Sequence, residues 1–256
     1  MKSILVICLG LIILSCKSTH VSTYTAKPTI CIVDGTPSNI DVLNSIPDSL
    51  KKKYNFISFN RPGYGGTENA VMSPELLFQL AKKAGLHEND YGIIGISGGG
   101  PYSILLASKF KLKHCGIVSG MVSRDAYFKF ADSAITRGVM EGVLQGYDKF
   151  AAAAMNFPNL DEILRHAGTT SKEIAIRACY DDLNFVLADA LYDAIKNKNI
   201  KIDWWHGAND VNVPVKSVEL FIKDYKNARL NIIPLATHGI DSRVYIGKLI
   251  DDWELR

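Results

Sequence analysis

"YGIIGISGGGPYSILLASKF", residues 91–110, decides the reading of the whole chain. A strand-like apolar run ends at Ser97, three glycines follow, and a helical pattern begins at once. Inside it stands Gly95-Ile96-Ser97-Gly98-Gly99, a G-x-S-x-G in the order strand, sharp turn, helix. A serine at such an elbow sits in strained backbone, and a Cβ two residues to either side would collide with the turn. Pro101 is tolerated because it falls in the first helical turn. The same glycines do not make a phosphate cradle. "GISGGGP" lacks the Lys-Ser/Thr of a P-loop and the full G-x-G-x-x-G, and no partner acid follows at the right distance.

Working outward, short β-branched runs alternate with helical patterns. The expected strands are Thr29–Asp34, Tyr54–Asn60, Tyr91–Ile96, His114–Ser119, Lys201–His206 and Arg229–Pro234. Most are continuously apolar, as strands covered on both faces are. "SPELLFQLAKKAGL" reads as a helix with Ser73 as N-cap, Pro74 at its first position and Gly85 to stop it; "PVKSVELFIKDY" opens likewise on Pro214. The expected fold class is α/β, a mostly parallel sheet with helices on both faces. Residues 122–199 break the rhythm, with helical segments and no convincing strand, too long for one crossover; they are expected to form a helical cap inserted in a core of residues 29–121 and 200–256.

A serine hydroxyl is a weak nucleophile until a base takes its proton. Asp210, in "IDWWHGANDVNVP", and His238, in "LNIIPLATHGI", follow Ser97 in the order that a strand–elbow–helix nucleophile requires. Both lie past the C-terminal end of an expected strand, where open α/β sheets bind ligands. Asp203 and Asp241 stand as alternatives for the acid, and His206 reads as a structural residue at a strand end. His20, His87, His114 and His166 have no partners in motif.

Together these pieces resemble the α/β-hydrolase family of esterases, lipases and aminoacyl peptidases. "DGTPSN" stands for its His-Gly loop and "NRPGYGGT", residues 60–67, for its Asp-x-Pro-Gly-x-Gly turn; "GISGGG", "HGANDVNVP" and "THG" complete the match. The resemblance spans residues 29–240, although the leading antiparallel hairpin of the family is shortened or missing. It implies Ser97 as nucleophile, His238 as base then acid, and Asp210 as its orienting carboxylate. It also implies an oxyanion hole from the backbone N–H groups of Gly98 and, because Pro37 has none, Thr36. Asp34 stands where the family carries His, and Asn60 where it carries Asp. A free carboxylate would repel an oxyanion, so Asp34 is expected to point away, be protonated or be paired, Asn60 or Arg61 being its candidate partners, with Asp34, Gly35, Asn60 and Arg61 supporting the loop.

At 256 residues, 47% hydrophobic and 21% charged, the chain can bury one sizeable core. A formal charge of +3 and the lack of a long Lys/Arg tract argue against a nucleic-acid partner; Lys51-Lys52-Lys53 reads as a solvated helix end. No C-x-x-C, H-E-x-x-H or EF-hand loop supports a metal, and no cofactor is implied. Lys2 precedes an apolar run from Ile4 to Leu14, too short to span a bilayer but suited to a secretory signal over residues 1–15. "IILSC" resembles a bacterial lipobox, with Ile13 where Leu is usual, which implies lipidation at Cys16, a polar tether over residues 16–28, and residence on the bacterial cell envelope; simple secretion is the alternative. Cys31 and Cys115 lie in strand-like runs and are expected to be buried free thiols.

The expected activity is hydrolysis of an apolar small-molecule ester through an acyl-enzyme. A prolyl-aminopeptidase-like peptidase acting on an amide is a variant, for which Glu141, Asp161, Glu162, Asp181 and Asp182 are candidate holders of a substrate amine. A non-catalytic ligand-binding lipoprotein is the alternative of a different class.

Overall fold

The computed structural model describes residues 27–38, 40–131, 134–156, 160–196, 200–238 and 242–255. The signal segment, Cys16 and most of the tether lie outside these residues, as does Asp241. Among the described residues six strands form one sheet: β1 (Thr29–Val33), β2 (Asn55–Ser58), β3 (Gly92–Ile96), β4 (His114–Val118), β5 (Ile202–Gly207) and β6 (Ala228–Ile233). Their order is β2-β1-β3-β4-β5-β6, and every pairing is parallel. All six expected strands are present, with ends differing by a residue or two.

Alternate residues of each central strand feed opposite layers. Ile30, Ile32, Ile94 and Val118 pack with Leu50 of α1 (Asp48–Lys53) and with Ile246, Leu249, Ile250 and Trp253 of α11 (Ser242–Glu254). Cys31, Val33, Ile93, Cys115 and Ile117 face the other layer, built by α2 (Pro74–Lys83), α3 (Gly99–Phe110) and α10 (Val215–Ile222). Two apolar faces per strand explain the unbroken apolar runs. Cys31 and Cys115 are buried free thiols, and burial raises both above the ordinary thiol range. The N-cap of α2 is Ser73, whose side chain accepts the Leu76 amide at 3.2 Å, and Gly85 follows its end at φ +99°.

Between β4 and β5 the described residues hold six helices: α4 (Arg124–Phe130), α5 (Ala134–Gln145), α6 (Tyr147–Ala154), α7 (Leu160–Ala167), α8 (Lys172–Val186) and α9 (Asp189–Lys196). The outer two belong to the flank of the sheet, α4 against α10 and α9 against α3. The inner four pack on one another and reach the loop after β1: Val139, Phe150, Ile163, Ile176 and Leu183 line a cavity with Thr36 and Pro37. Among the described residues no helix is long and apolar enough to cross a membrane.

Candidate active site

Ser97 follows β3 directly and lies in the left-handed region, at φ +49°. Its carbonyl accepts the amides of Gly100 at 3.0 Å and Met121 at 2.9 Å, and its own amide donates to Val118 O at 2.9 Å. The elbow is tight enough to exclude side chains. A Cβ on Gly99 would lie 2.1 Å from the Val33 carbonyl oxygen, and one on Gly95 2.6 Å from the Gly99 carbonyl oxygen. The glycines two residues either side of Ser97 are steric necessities of helix α3 starting hard against β1 and β3.

His238 and Asp210 arrive from the loops after β6 and β5. These loops are tied together, Asn209 N donating to Ala236 O at 2.8 Å and Ala208 N to Ile233 O at 2.9 Å. The result is a continuous hydrogen-bonded chain. Ser97 Oγ lies 2.9 Å from His238 Nε2, and His238 Nδ1 lies 2.9 Å from Asp210 Oδ2. Asp210 is buried, and its Oδ1 accepts the amides of Asn212 and Val213, both at 2.9 Å. Burial alone would push its carboxyl up; hydrogen bonds and charge from His206 and His238 outweigh that and hold it well below the usual carboxylate range.

His206 is closer to this chemistry than its place in the sequence conveyed. Fully buried, it sets Nε2 3.1 Å from Asp210 Oδ2 and 2.7 Å from Val213 O, while Trp204 Nε1 donates to its Nδ1 at 3.3 Å. With Nδ1 accepting, Nε2 carries the hydrogen and donates. Asp203, the other described candidate for the acid, is engaged away from the site by Trp253 Nε1 at 3.0 Å and Arg229 Nε at 3.2 Å.

The loop after β1 runs directly beside the elbow. A Cβ on Gly98 would meet Thr36 Oγ1 at 2.5 Å, its Cβ at 3.2 Å and its N at 3.3 Å, so Thr36 lies against Gly98 next to Ser97, side chain nearest and amide nitrogen close behind. Arg61 grips this loop, donating to Asp34 O at 2.8 Å and Gly35 O at 2.5 Å. Its ion pair is with Asp182 at 2.8 Å, so Arg61 reaches residue 34 at the main-chain carbonyl. The physical reason is depth: Asp182 offers a buried carboxylate in line with Nε and Nη2, which a forked guanidinium matches. Asn60 turns to the same loop and accepts the Ile40 amide at 3.0 Å.

Sequence reasoning missed Asp182 as a hub. Its signal was present in α8, where Ala175, Ala178, Cys179, Leu183 and Val186 are buried and Asp182 interrupts that apolar face. A carboxylate on a buried stripe demands a buried partner. Tyr64 and Tyr102 also approach it, and burial, followed by nearby acidic groups, raises both phenols well above their ordinary range, so they stay protonated donors.

Three cavities converge on Thr36. One of about 180 Å³ includes Ser97, Gly98, Met121, Val213 and His238; an apolar one of about 240 Å³ runs beneath α5–α8; an open, more polar one of about 510 Å³ is bordered by Asp34, Asp41, Arg165 and His166. Among the described residues no cluster of His, Cys, Asp and Glu is arranged to hold a metal ion.

The chain has the α/β-hydrolase fold. It superposes on a thermophilic esterase from Thermogutta terrifontis with a TM-score of 0.61 and 16% identity, over 89% of each chain. An esterase from Exiguobacterium antarcticum matches with a TM-score of 0.62 and 14% identity, over 89% of this chain and 92% of that one. A bromoperoxidase from Bacillus anthracis matches as well, at 0.61 and 17% over 90% and 91%. No protein-family model and no curated protein sequence matches the chain.

Proposed function

We propose that this chain is a serine hydrolase of carboxylic esters. The observation that carries the proposal is the unbroken chain Ser97 Oγ to His238 Nε2 to Asp210 Oδ2, both links 2.9 Å, opening into a largely apolar cavity. In this reading His238 takes the Ser97 proton as the hydroxyl attacks the acyl carbonyl, and the imidazolium is stabilised by Asp210. The tetrahedral oxyanion accepts hydrogen bonds from the Thr36 and Gly98 amides. His238 then gives its proton to the departing alcohol, leaving an acyl-enzyme that water, deprotonated by the same histidine, hydrolyses.

Four of the five cap acids count against the aminopeptidase variant. Glu141 pairs with Arg137 and Asp181 with Arg177, each at 2.8 Å, Asp182 is buried on Arg61, and Glu162 lies 3.7 Å from Arg165. An amine-binding cluster needs carboxylates that converge on the nucleophile with charge to spare.

A fluorophosphonate probe tests the proposal. Folded wild-type protein is expected to gain an adduct on Ser97, and Ser97→Ala to gain none; an unlabelled wild type would sink the hydrolase reading. Esterase neighbours at such low identity supply the fold and leave the substrate to be measured, best with p-nitrophenyl esters of rising chain length beside aminoacyl amides. Lipid anchoring through Cys16 on the bacterial cell envelope belongs to the same proposal and rests on "IILSC". Cys16→Ala is expected to move the protein from the membrane to the soluble fraction.

A further inference from the structure

Asp182 is met by four side chains from three separate parts of the core. Thr36 Oγ1 donates to it at 2.5 Å, Arg61 donates from Nε at 2.9 Å and Nη2 at 2.8 Å, the Tyr64 hydroxyl lies at 3.3 Å, and the Tyr102 hydroxyl closes on Oδ1. Asp182 is 4% exposed, Arg61 1% and both tyrosines are fully buried. A buried ion pair is by itself weak evidence for stability. Its geometry carries more. The remaining donors of Arg61 take the carbonyls of Asp34 and Gly35, and the Gly35 carbonyl belongs to the same peptide unit as the Thr36 N–H.

A peptide unit is planar, and in the trans form its N–H points opposite to its C=O. Among the described residues of this loop, cis geometry is confined to the next bond, Thr36–Pro37. Fixing the Gly35 oxygen on Arg61 therefore fixes the direction of the Thr36 N–H, away from the guanidinium, and the Thr36 nitrogen lies beside Gly98 together with Oγ1 and Cβ, 3.3 Å from where a Gly98 Cβ would stand. The hydrogen bond from Thr36 Oγ1 to Asp182 turns the hydroxyl to the same partner and commits its proton there.

We infer that Asp182, a residue of the helical insertion, is a positioning residue for the oxyanion loop: through Arg61 and Thr36 Oγ1 it sets the peptide plane that aims the Thr36 N–H beside Gly98. Tyr102, on the helix that begins at the elbow, reaches the same carboxylate and ties the nucleophile's helix to it. The catalytic part of this inference rests on the ester-hydrolase reading; the positioning part does not.

The test pairs amide hydrogen exchange over the peptide containing residues 34–38 with steady-state kinetics on a p-nitrophenyl ester. Asp182→Asn keeps the shape of the side chain and removes its charge. Because that strands Arg61, a second variant, Arg61→Met/Asp182→Leu, replaces the pair by apolar groups of similar size. In either folded variant loop exchange is expected to rise on the order of tenfold, the scale of one lost hydrogen bond, with β3 protection retained. The kcat is expected to fall ~100-fold with KM within ~3-fold, because a misdirected donor is felt in the transition state. Thr36→Val is expected to show a part of both effects and Thr36→Ser to recover most of that part. Unchanged loop exchange in both Asp182 variants overturns the inference, as does changed exchange with unchanged kcat in an active enzyme. A wild type without esterase activity removes the hydrolase reading alone, since the exchange arm still decides the positioning.

Discussion

Asp210 has every acceptor position of its carboxylate in use: two backbone amides on Oδ1, and His238 and His206 on Oδ2. That arrangement keeps the group ionised, and it has a consequence for stability. Its folded-state pKa is depressed, so its stabilising contribution is complete above the unfolded value of about 3.9 and is lost as pH falls below that. Urea melts across the range from about pH 6 to about pH 3 are expected to show wild-type stability declining below about pH 4. Asp210→Asn is expected to flatten part of that decline. The same substitution is expected to lower kcat on an ester by roughly 10⁴-fold, because an amide stabilises neither the correct imidazole tautomer nor the imidazolium. Equal activity of the Asn variant would mean that Asp210 does not orient His238. His206 shares the acidic oxygen and does not itself line the cavity bordering Ser97, so its effect runs through Asp210 and through Val213, whose carbonyl it also meets.

At the scale of elements, two substitutions separate local from tertiary requirements. Ser73 caps α2 and borders none of the three cavities, so Ser73→Ala is expected to cost about 1 kcal/mol in chemical denaturation and leave kcat unchanged. Gly99 carries no such local role. A Cβ there would press on the Val33 carbonyl, and Gly99→Ala is expected to lower the Tm and abolish labelling of Ser97 by moving α3 off β1. Wild-type labelling in that variant would show the elbow to be more compliant than its contacts. The same contrast separates what the sequence revealed from what it withheld. Strands such as Ile93–Ile96 were legible because both faces are buried, and Ser97, Asp210 and His238 because each sits at a strand end in the required order. Ser73 and Gly85 announced α2 through chemistry within a few residues. Asp182 and Arg61 are 121 positions apart, and nothing in "NRPGYGGT" specifies a carboxylate on a distant helix. Expecting Asp34 to pair with Asn60 or Arg61 drew on residues of neighbouring loops alone, whereas the sheet and insertion together bring a deeper acid, Asp182, into reach of Arg61.

The whole molecule divides its candidate site between a floor and a helical roof. The floor is the C-terminal edge of the sheet, and the roof is α5–α8, whose apolar residues close a space of about 240 Å³ beyond Thr36 and Pro37. A dry apolar cavity of roughly 150 Å³ accepts benzene, and sites for drug-sized ligands begin near 300 Å³. On the ester-hydrolase reading, an acyl group would pass from the space of about 180 Å³ beside Ser97 into this one, which favours a short or aryl group over a long fatty chain. On the same reading, the polar cavity with Asp34, Asp41, Arg165 and His166, about 510 Å³ and open, would take the other side of the scissile bond. On p-nitrophenyl esters, kcat/KM is expected to peak at short acyl chains and to fall once the chain outgrows the roof. Ile176, 4% exposed and part of that cavity wall, gives the decisive variant. Ile176→Ala is expected to shift the optimum toward longer acyl chains, at a stability cost of about 2–5 kcal/mol because it enlarges a buried space. An optimum that does not move, in a variant that still folds and turns over, would place the acyl group in the open polar cavity and reverse the assignment of the two sides.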